Sequence, residues 1–337
     1  MDLQTVRKTA REKLGGVCRV CPVCDGVICA GEVPGMGGVG TGTAFRNNIQ
    51  ALAGFKLNLR TVHHVSQPKL ACTILGIKLS APVIGAAIGG IALNLNAAMN
   101  EREYTGAIVS GCSRAGIIGM TGDGPKPEFF AAGLEAVRAG GGQGIPVIKP
   151  RETGLIVEMA NQAAAAGAPA FGIDIDAAAL MNMTNAGQPV GPKTPADLEY
   201  IKKHTRIPFI VKGIMTVDEA EACCTAGADA IVVSNHGGRA LDHTPGTAEV
   251  LPYIAEAVGE RLTVLADGGV RSGADVLKML ALGARAVLVG RPFALGAIGA
   301  GDQGVTLIAN KLIAELQAAM ILTGTADINT VSEETIW

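Results

Sequence analysis

ADGGVRSGADVLKMLALGARAVLVGRPF, residues 266–293, decides the fold. It opens at the end of an apolar run, turns on Gly268 and Gly269, and enters an amphipathic segment that closes at Gly283. A β-branched run, AVLV, follows at once and ends on Gly290 and Arg291. Two strands joined by a helix run parallel, so this stretch is one strand–helix–strand unit of a parallel sheet.

The same alternation extends back to residue 81. The expected strands are APVIGAA (81–87), AIVSGC (107–112), PVIKP (146–150), FGIDID (171–176), PFIVKGI (208–214), AIVVSN (230–235), LTVLADGG (262–269) and AVLVGRP (286–292). Between them GLIVEMANQAAAAG, TVDEAEACCTAGA and SGADVLKMLALGA read as helices, each with a glycine near its end suited to a left-handed termination. Eight such units, in the roughly 200–250 residues that one barrel needs, argue for a closed (β/α)8 TIM barrel rather than an open sheet. The expected organisation is an N-terminal helical and loop cap over 1–80 with cysteine-rich and glycine-rich segments, a barrel over 81–302, and a closing helix and tail over 303–337.

Composition removes several function classes. The 337 residues are 48% apolar and 17% charged, with 28 basic against 30 acidic side chains. No basic run follows a phosphate backbone or an anionic membrane, so nucleic acid and membrane are not expected partners. The start, MDLQTVRKTAREKL, lacks the apolar core of a secretory signal, and the longest apolar run, LSAPVIGAAIGGIAL, is broken by Pro82 and three glycines. The expectation is a cytoplasmic protein whose eight cysteines are thiols, metal ligands or redox groups rather than structural disulfides.

Barrel chemistry sits at the C-terminal ends of strands. In the deciding stretch, paired glycines, Arg271 and a helix N-terminus converge on one spot, and Gly290-Arg291 repeats the arrangement on the next strand. Backbone N–H groups, a helix dipole and guanidinium groups together suit a phosphate. On the preceding strand, SNHGGRALD (234–242) sets His236 three residues from Arg239 around two glycines. Histidine takes a proton near neutral pH, and arginine grips a carboxylate with two parallel hydrogen bonds. One strand earlier, Lys212 ends an apolar run, where a buried cation needs an anionic partner.

With PFIVKGI, SNHGGRALD and the deciding stretch in hand, the chain resembles the FMN-dependent 2-hydroxy-acid oxidase and dehydrogenase family, the glycolate oxidase and lactate oxidase type, as a divergent member with an N-terminal cysteine cluster. NLRTVHHVSQPKLACTILGIKLSAPVIGAA (58–87) is similar to the family's entry into its first barrel strand. The resemblance covers roughly residues 40–325. It implies an FMN-dependent oxidoreductase that converts a 2-hydroxy carboxylate to the 2-oxo acid by hydride transfer to flavin, oxygen or another acceptor then taking the electrons, in a homo-oligomer of the tetrameric kind.

The resemblance also assigns roles. His236 would be the base for the substrate hydroxyl, Arg239 would hold the carboxylate, and Lys212 would face the pyrimidine edge of the flavin and stabilise negative charge there. Asp174 resembles the carboxylate that pairs with the histidine, with Asp176 two residues away on the same face. Ser234 and Asp267 would contact the flavin, Gly268, Gly269, Arg271, Gly290 and Arg291 would surround its phosphate, and Ala86, Ala87 and Ser110 are the early-strand contacts. The pocket departs from the family elsewhere: PGMGGVGTG (34–42) stands where an entry tyrosine is expected, Lys149 replaces a strand-end tyrosine, and DIDAAALMNMTN (174–185) lacks a second substrate arginine.

GVCRVCPVCDGVICAGEVPGMGG (16–38) places Cys18, Cys21, Cys24 and Cys29 in the pattern CxxCxxCx4C. Such thiols can wrap an iron–sulfur cluster, bind zinc, exchange electrons as a dithiol or simply stay reduced. Two other functions stay open on the residues: a redox-neutral flavin enzyme related to type II isopentenyl diphosphate isomerase, and a flavin and cysteine electron-transfer protein.

Overall fold

The computed structural model describes residues 2–337, the side chains of residues 181 and 182 excepted. Eight parallel strands close into a barrel: β1 (Val83–Gly85), β2 (Ile118–Thr121), β3 (Gly144–Ile148), β4 (Phe171–Asp174), β5 (Phe209–Ile214), β6 (Ala230–Val233), β7 (Thr263–Ala266) and β8 (Ala286–Val289), with β8 pairing back to β1. The fold class expected from the sequence is therefore present as a (β/α)8 barrel.

Side chains alternate across each strand, and that period divides the core in two. Ile84, Ile118, Met120, Ile145, Val147, Ile210, Val232, Leu265 and Leu288 fill the barrel interior. Below them an antiparallel hairpin, Cys72–Ile74 with Ile77–Leu79, contributes Ile74 and Leu79 to the same cluster and plugs the barrel's N-terminal mouth. The opposite faces, including Val83, Ile148, Ile173, Val211, Val233, Val264 and Val287, pack under the helical layer.

One expected strand is a helix. AIVSGC lies inside Glu101–Arg114, whose start is fixed by Asn100: its side chain accepts from the Glu103 N–H, and Glu103 accepts in turn from the Asn100 N–H. Tyr104, Ile108 and Cys112 recur every fourth residue and are buried, the spacing of a helix face rather than a strand. The second strand is instead the run after Gly116, and Ser110 and Cys112 consequently leave the strand-end rim.

N-terminal to the barrel, α1 (Leu3–Leu14) is capped by Asp2 and packs on the helix Arg291–Thr323, which breaks at Ala300 and Gly301. A second helix, α2 (Thr43–Gly54), starts on the strand-end rim, where Asp242 from the β6 loop accepts from the backbone N–H groups of Thr41, Thr43 and Ala44. The chain between these helices, including residues 33–39, lies across the C-terminal mouth of the barrel.

Candidate functional site

Seven of the eight strands, β1 and β3 through β8, carry a polar or small site residue in the inward register two residues beyond the core. Ile84 leads to Ala86, Val147 to Lys149, Gly172 to Asp174, Ile210 to Lys212, Val232 to Ser234, Leu265 to Asp267 and Leu288 to Gly290. Alternation alone therefore aims these side chains at one place, and a cavity of about 390 Å³ lies there. Of the residues expected from the sequence, Ala86, Ala87, Lys149, Asp174, Lys212, His236, Arg239, Asp267, Gly268, Gly269, Arg271, Gly290 and Arg291 line it. Ser234 stands just behind, donating from its hydroxyl to Asp267 Oδ2 at 3.0 Å.

Ser110 does not reach the cavity. Its hydroxyl faces the outer helical layer and donates to Asp302 Oδ2 at 3.2 Å. Cys112 is fully buried beneath β1, where burial pushes its thiol up to about 12.

The histidine's partner also differs from the expectation. His236 Nδ1 lies 2.9 Å from Asp176 Oδ1, whereas Asp174 joins two lysines, Lys149 Nζ at 2.8 Å and Lys212 Nζ at 3.1 Å. The reason is the path of the chain after β4. Gly213, at φ +112°, lies so near Asp176 that a Cβ there would sit 2.6 Å from the aspartate Cβ. Only glycine lets β5 pass, and the turn carrying Asp176 then packs beneath His236. His236 itself has φ +59°, and Gly237 and Gly238 continue in the left-handed region. Such strain in a residue with a side chain marks a position held for its direction.

Burial alone would favour neutral groups here, but the charges hold one another. Burial opposes ionisation of Asp174, yet Lys149, Lys212 and His236 bring its carboxyl far below the usual range. For Lys212, burial is outweighed by Asp174, Asp176 and Asp267, which keep it protonated. Asp267 goes the other way: burial raises it more than Lys212 and Ser234 lower it.

Asp123 and Arg151, a pair the sequence reading missed, brace this wall. Arg151 reaches both Asp123 oxygens, Nε to Oδ2 at 2.9 Å and Nη2 to Oδ1 at 3.0 Å, and Asp123 also accepts from the Lys149 N–H at 3.0 Å. Assigning the second strand to IIGMT would have put Asp123 at its C-terminal end.

At the opposite wall three guanidinium groups gather. Arg239 donates to the Gly35 and Gly37 carbonyls and to Asn94 Oδ1, and burial draws it down to about 10. Arg291 donates to the carbonyls of Met36, Gly37 and Gly237 and stacks 3.7 Å above the Phe45 ring centroid. Burial first, then Arg271 and Arg239, lower its hold on a proton. Arg271 Nε is buried with no partner among the described residues, as is Asp267 Oδ1. Cations that repel one another, a left-handed glycine pair and orphaned polar atoms fit an anionic cofactor such as FMN, its phosphate at Arg271 and Arg291 and its polar ring edge toward Lys212 and Asp267.

The four N-terminal cysteines stay off the cavity wall but touch its arginine side. Arg271 Nη2 is 3.5 Å from Cys24 Sγ. All eight cysteines are free thiols, and among the described residues no three of their sulfurs come within 4.8 Å of one another.

Comparison with known proteins agrees with this geometry. The chain matches the FMN-dependent dehydrogenase family over residues 35–189 and 183–337. It is 32% identical to L-lactate oxidase of Lactobacillus jensenii over 322 residues, 87% of this chain and 77% of that protein. It is 49% identical to L-lactate dehydrogenase of Caulobacter vibrioides and 50% identical to 2-hydroxyacid oxidase of Dictyostelium discoideum, over 41% and 42% of this chain. Those two matches span only 36% of each relative. Among solved structures, mandelate oxidase with (S)-2-phenylpropionate superposes with a TM-score of 0.79 at 28% identity, covering 99% of this chain and 97% of that one. A putative lactate oxidase of Pediococcus acidilactici gives 0.81 at 25% identity, covering 100% and 95%.

Proposed function

The chain belongs to the FMN-dependent dehydrogenase family, and from that premise we propose that it oxidises a 2-hydroxy carboxylate to the 2-oxo acid. The observation that carries the reading is the His236–Asp176 pair set in a cavity that also holds Arg239 and Lys212. With Nδ1–H donated to Asp176, the other ring nitrogen carries the lone pair, so His236 can accept the proton of a substrate hydroxyl. Asp176 then faces the imidazolium and stabilises it. Arg239, buried among neutral partners, has its charge available for the substrate carboxylate and fixes the carbon that bears the hydroxyl. FMN, when bound, supplies the hydride acceptor. Lys212 and Lys149, both locked to Asp174, keep the cavity's floor cationic. Oxygen or another acceptor takes the electrons at the end of the cycle, and a reducing compartment suits the free thiols.

Apolar side chains from Met36, Leu95 and Leu180 also line the cavity, and this supports a substrate with an apolar side group. Anaerobic addition of lactate, mandelate and longer 2-hydroxy acids to the purified flavoprotein tests the proposal: one of them bleaches the flavin band. A band that none of them changes overturns it.

Two smaller effects follow from the same geometry. Asp176→Asn leaves the fold and flavin in place and slows flavin reduction about 10–100-fold, the worth of one hydrogen bond to a charged group, as stopped-flow absorbance will show. Arg271→Met weakens FMN binding by about 10–100-fold, read as the dissociation constant in a flavin fluorescence titration.

A further inference from the structure

Cys18, Cys21, Cys24 and Cys29 are not on the cavity wall, yet their loop is tied to α1 by arginine hydrogen bonds. Arg7 Nη2 donates to the carbonyls of Val20 and Cys21 at 3.2 and 2.6 Å, and Arg11 Nη2 donates to Val20 at 3.0 Å. Val20 and Gly26 bend the loop through left-handed conformations. Gly31 N–H then donates to the Gly38 carbonyl at 2.9 Å, turning the chain back just after Cys29. All four thiols end up half-buried.

We propose that these four cysteines bind one cubane iron–sulfur cluster at the arginine rim of the flavin site. The donor set is four soft sulfurs. The first three follow the CxxCxxC spacing by which three thiolates wrap one cluster in the bacterial ferredoxin run; there the fourth cysteine serves a second cluster. Here no second set exists, and the returning loop offers Cys29 to the same cluster.

Zinc is the competing occupant, and the cysteine pattern separates the two. Tetrahedral zinc sites pair two separated CxxC-type units, whereas one continuous CxxCxxC run wraps a single cluster.

The electrostatics point the same way. Arg271 at Cys24 and Arg291 near Cys29 offset the charge of the thiolates. Cys29 leads directly into residues 33–39, whose Gly35, Met36 and Gly37 carbonyls hold Arg239 and Arg291. A cluster would thus fix the strap across the cavity's mouth, whichever hydroxy acid, if any, the cavity oxidises.

The test is the metal content of the full chain produced with iron and sulfide and purified without oxygen. About four iron and four acid-labile sulfide per chain are expected beside the flavin, and Cys21→Ser should lose both while keeping its FMN. One zinc per chain in place of iron, or no iron retained after reconstitution, overturns the proposal. Iron that survives in Cys21→Ser and in Cys29→Ser overturns it equally. If the variants fail to fold, low-temperature electron paramagnetic resonance of the reduced wild-type protein decides: a cluster signal distinct from the flavin radical is expected, and its absence refutes the cluster.

Discussion

Replacing His236 with alanine leaves the flavin bound and slows its reduction by a 2-hydroxy acid about 10²–10⁴-fold, the range a positioned general base contributes. Binding survives because the phosphate end of the cavity is built by Arg271, Arg291 and the glycines of β7 and β8, none of which leans on the imidazole ring. Backbone strain at position 236 is not relieved, since alanine resists φ near +59° at least as much as histidine does. Anaerobic stopped-flow traces, with flavin content measured on the same sample, check this. Reduction at the wild-type rate in a fully flavinated variant removes histidine from the reaction.

Asp174→Ala should act on stability before it acts on rate. The carboxylate stands between Lys149 and Lys212, whose side chains are only 11% and 5% exposed. Removing one partner of a buried ion pair strands the others, at a cost of about 3–5 kcal/mol. Because the folded protein holds this carboxyl far below its ordinary value, its contribution is present in full above the unfolded value of about 3.9 and is lost progressively as pH falls from there toward the far lower folded value. The gap between wild type and variant in urea unfolding should therefore be wide at neutral pH and narrow below about pH 4. An equal loss from Asp176→Asn would mean that the two aspartates are not divided between scaffold and histidine as described.

Much of the fold was legible because a parallel barrel writes itself in period. Seven of the eight strands, β1 and β3 through β8, fall inside apolar runs bounded by glycine, proline or charge. The second was misplaced because AIVSGC is apolar and β-branched in a short window, and only the wider Tyr104, Ile108, Cys112 spacing betrays a helix. Of the site, residues in the inward register of a strand could be named from the sequence, since alternation sends them to the same mouth. Groups on loops that no motif marks could not. Asp123 depended on the misplaced strand, Asn94 on a short helix, Ile91–Asn94, and the exchange of Asp176 for Asp174 on the close passage at Gly213.

Local chemistry thus determined the barrel, the phosphate-binding strand ends and the histidine, arginine and lysine at adjacent strands, because each depends on spacing within one strand–helix unit. Pairing was decided by the tertiary structure. Asp174 and Asp176 sit two residues apart with the same register, and nothing local tells them apart; one meets two lysines and the other meets His236 only when β3, β4, β5 and β6 are brought side by side. The same holds for the cysteines, whose neighbours Arg271 and Arg291 lie more than two hundred residues along the chain and reach them only through barrel closure.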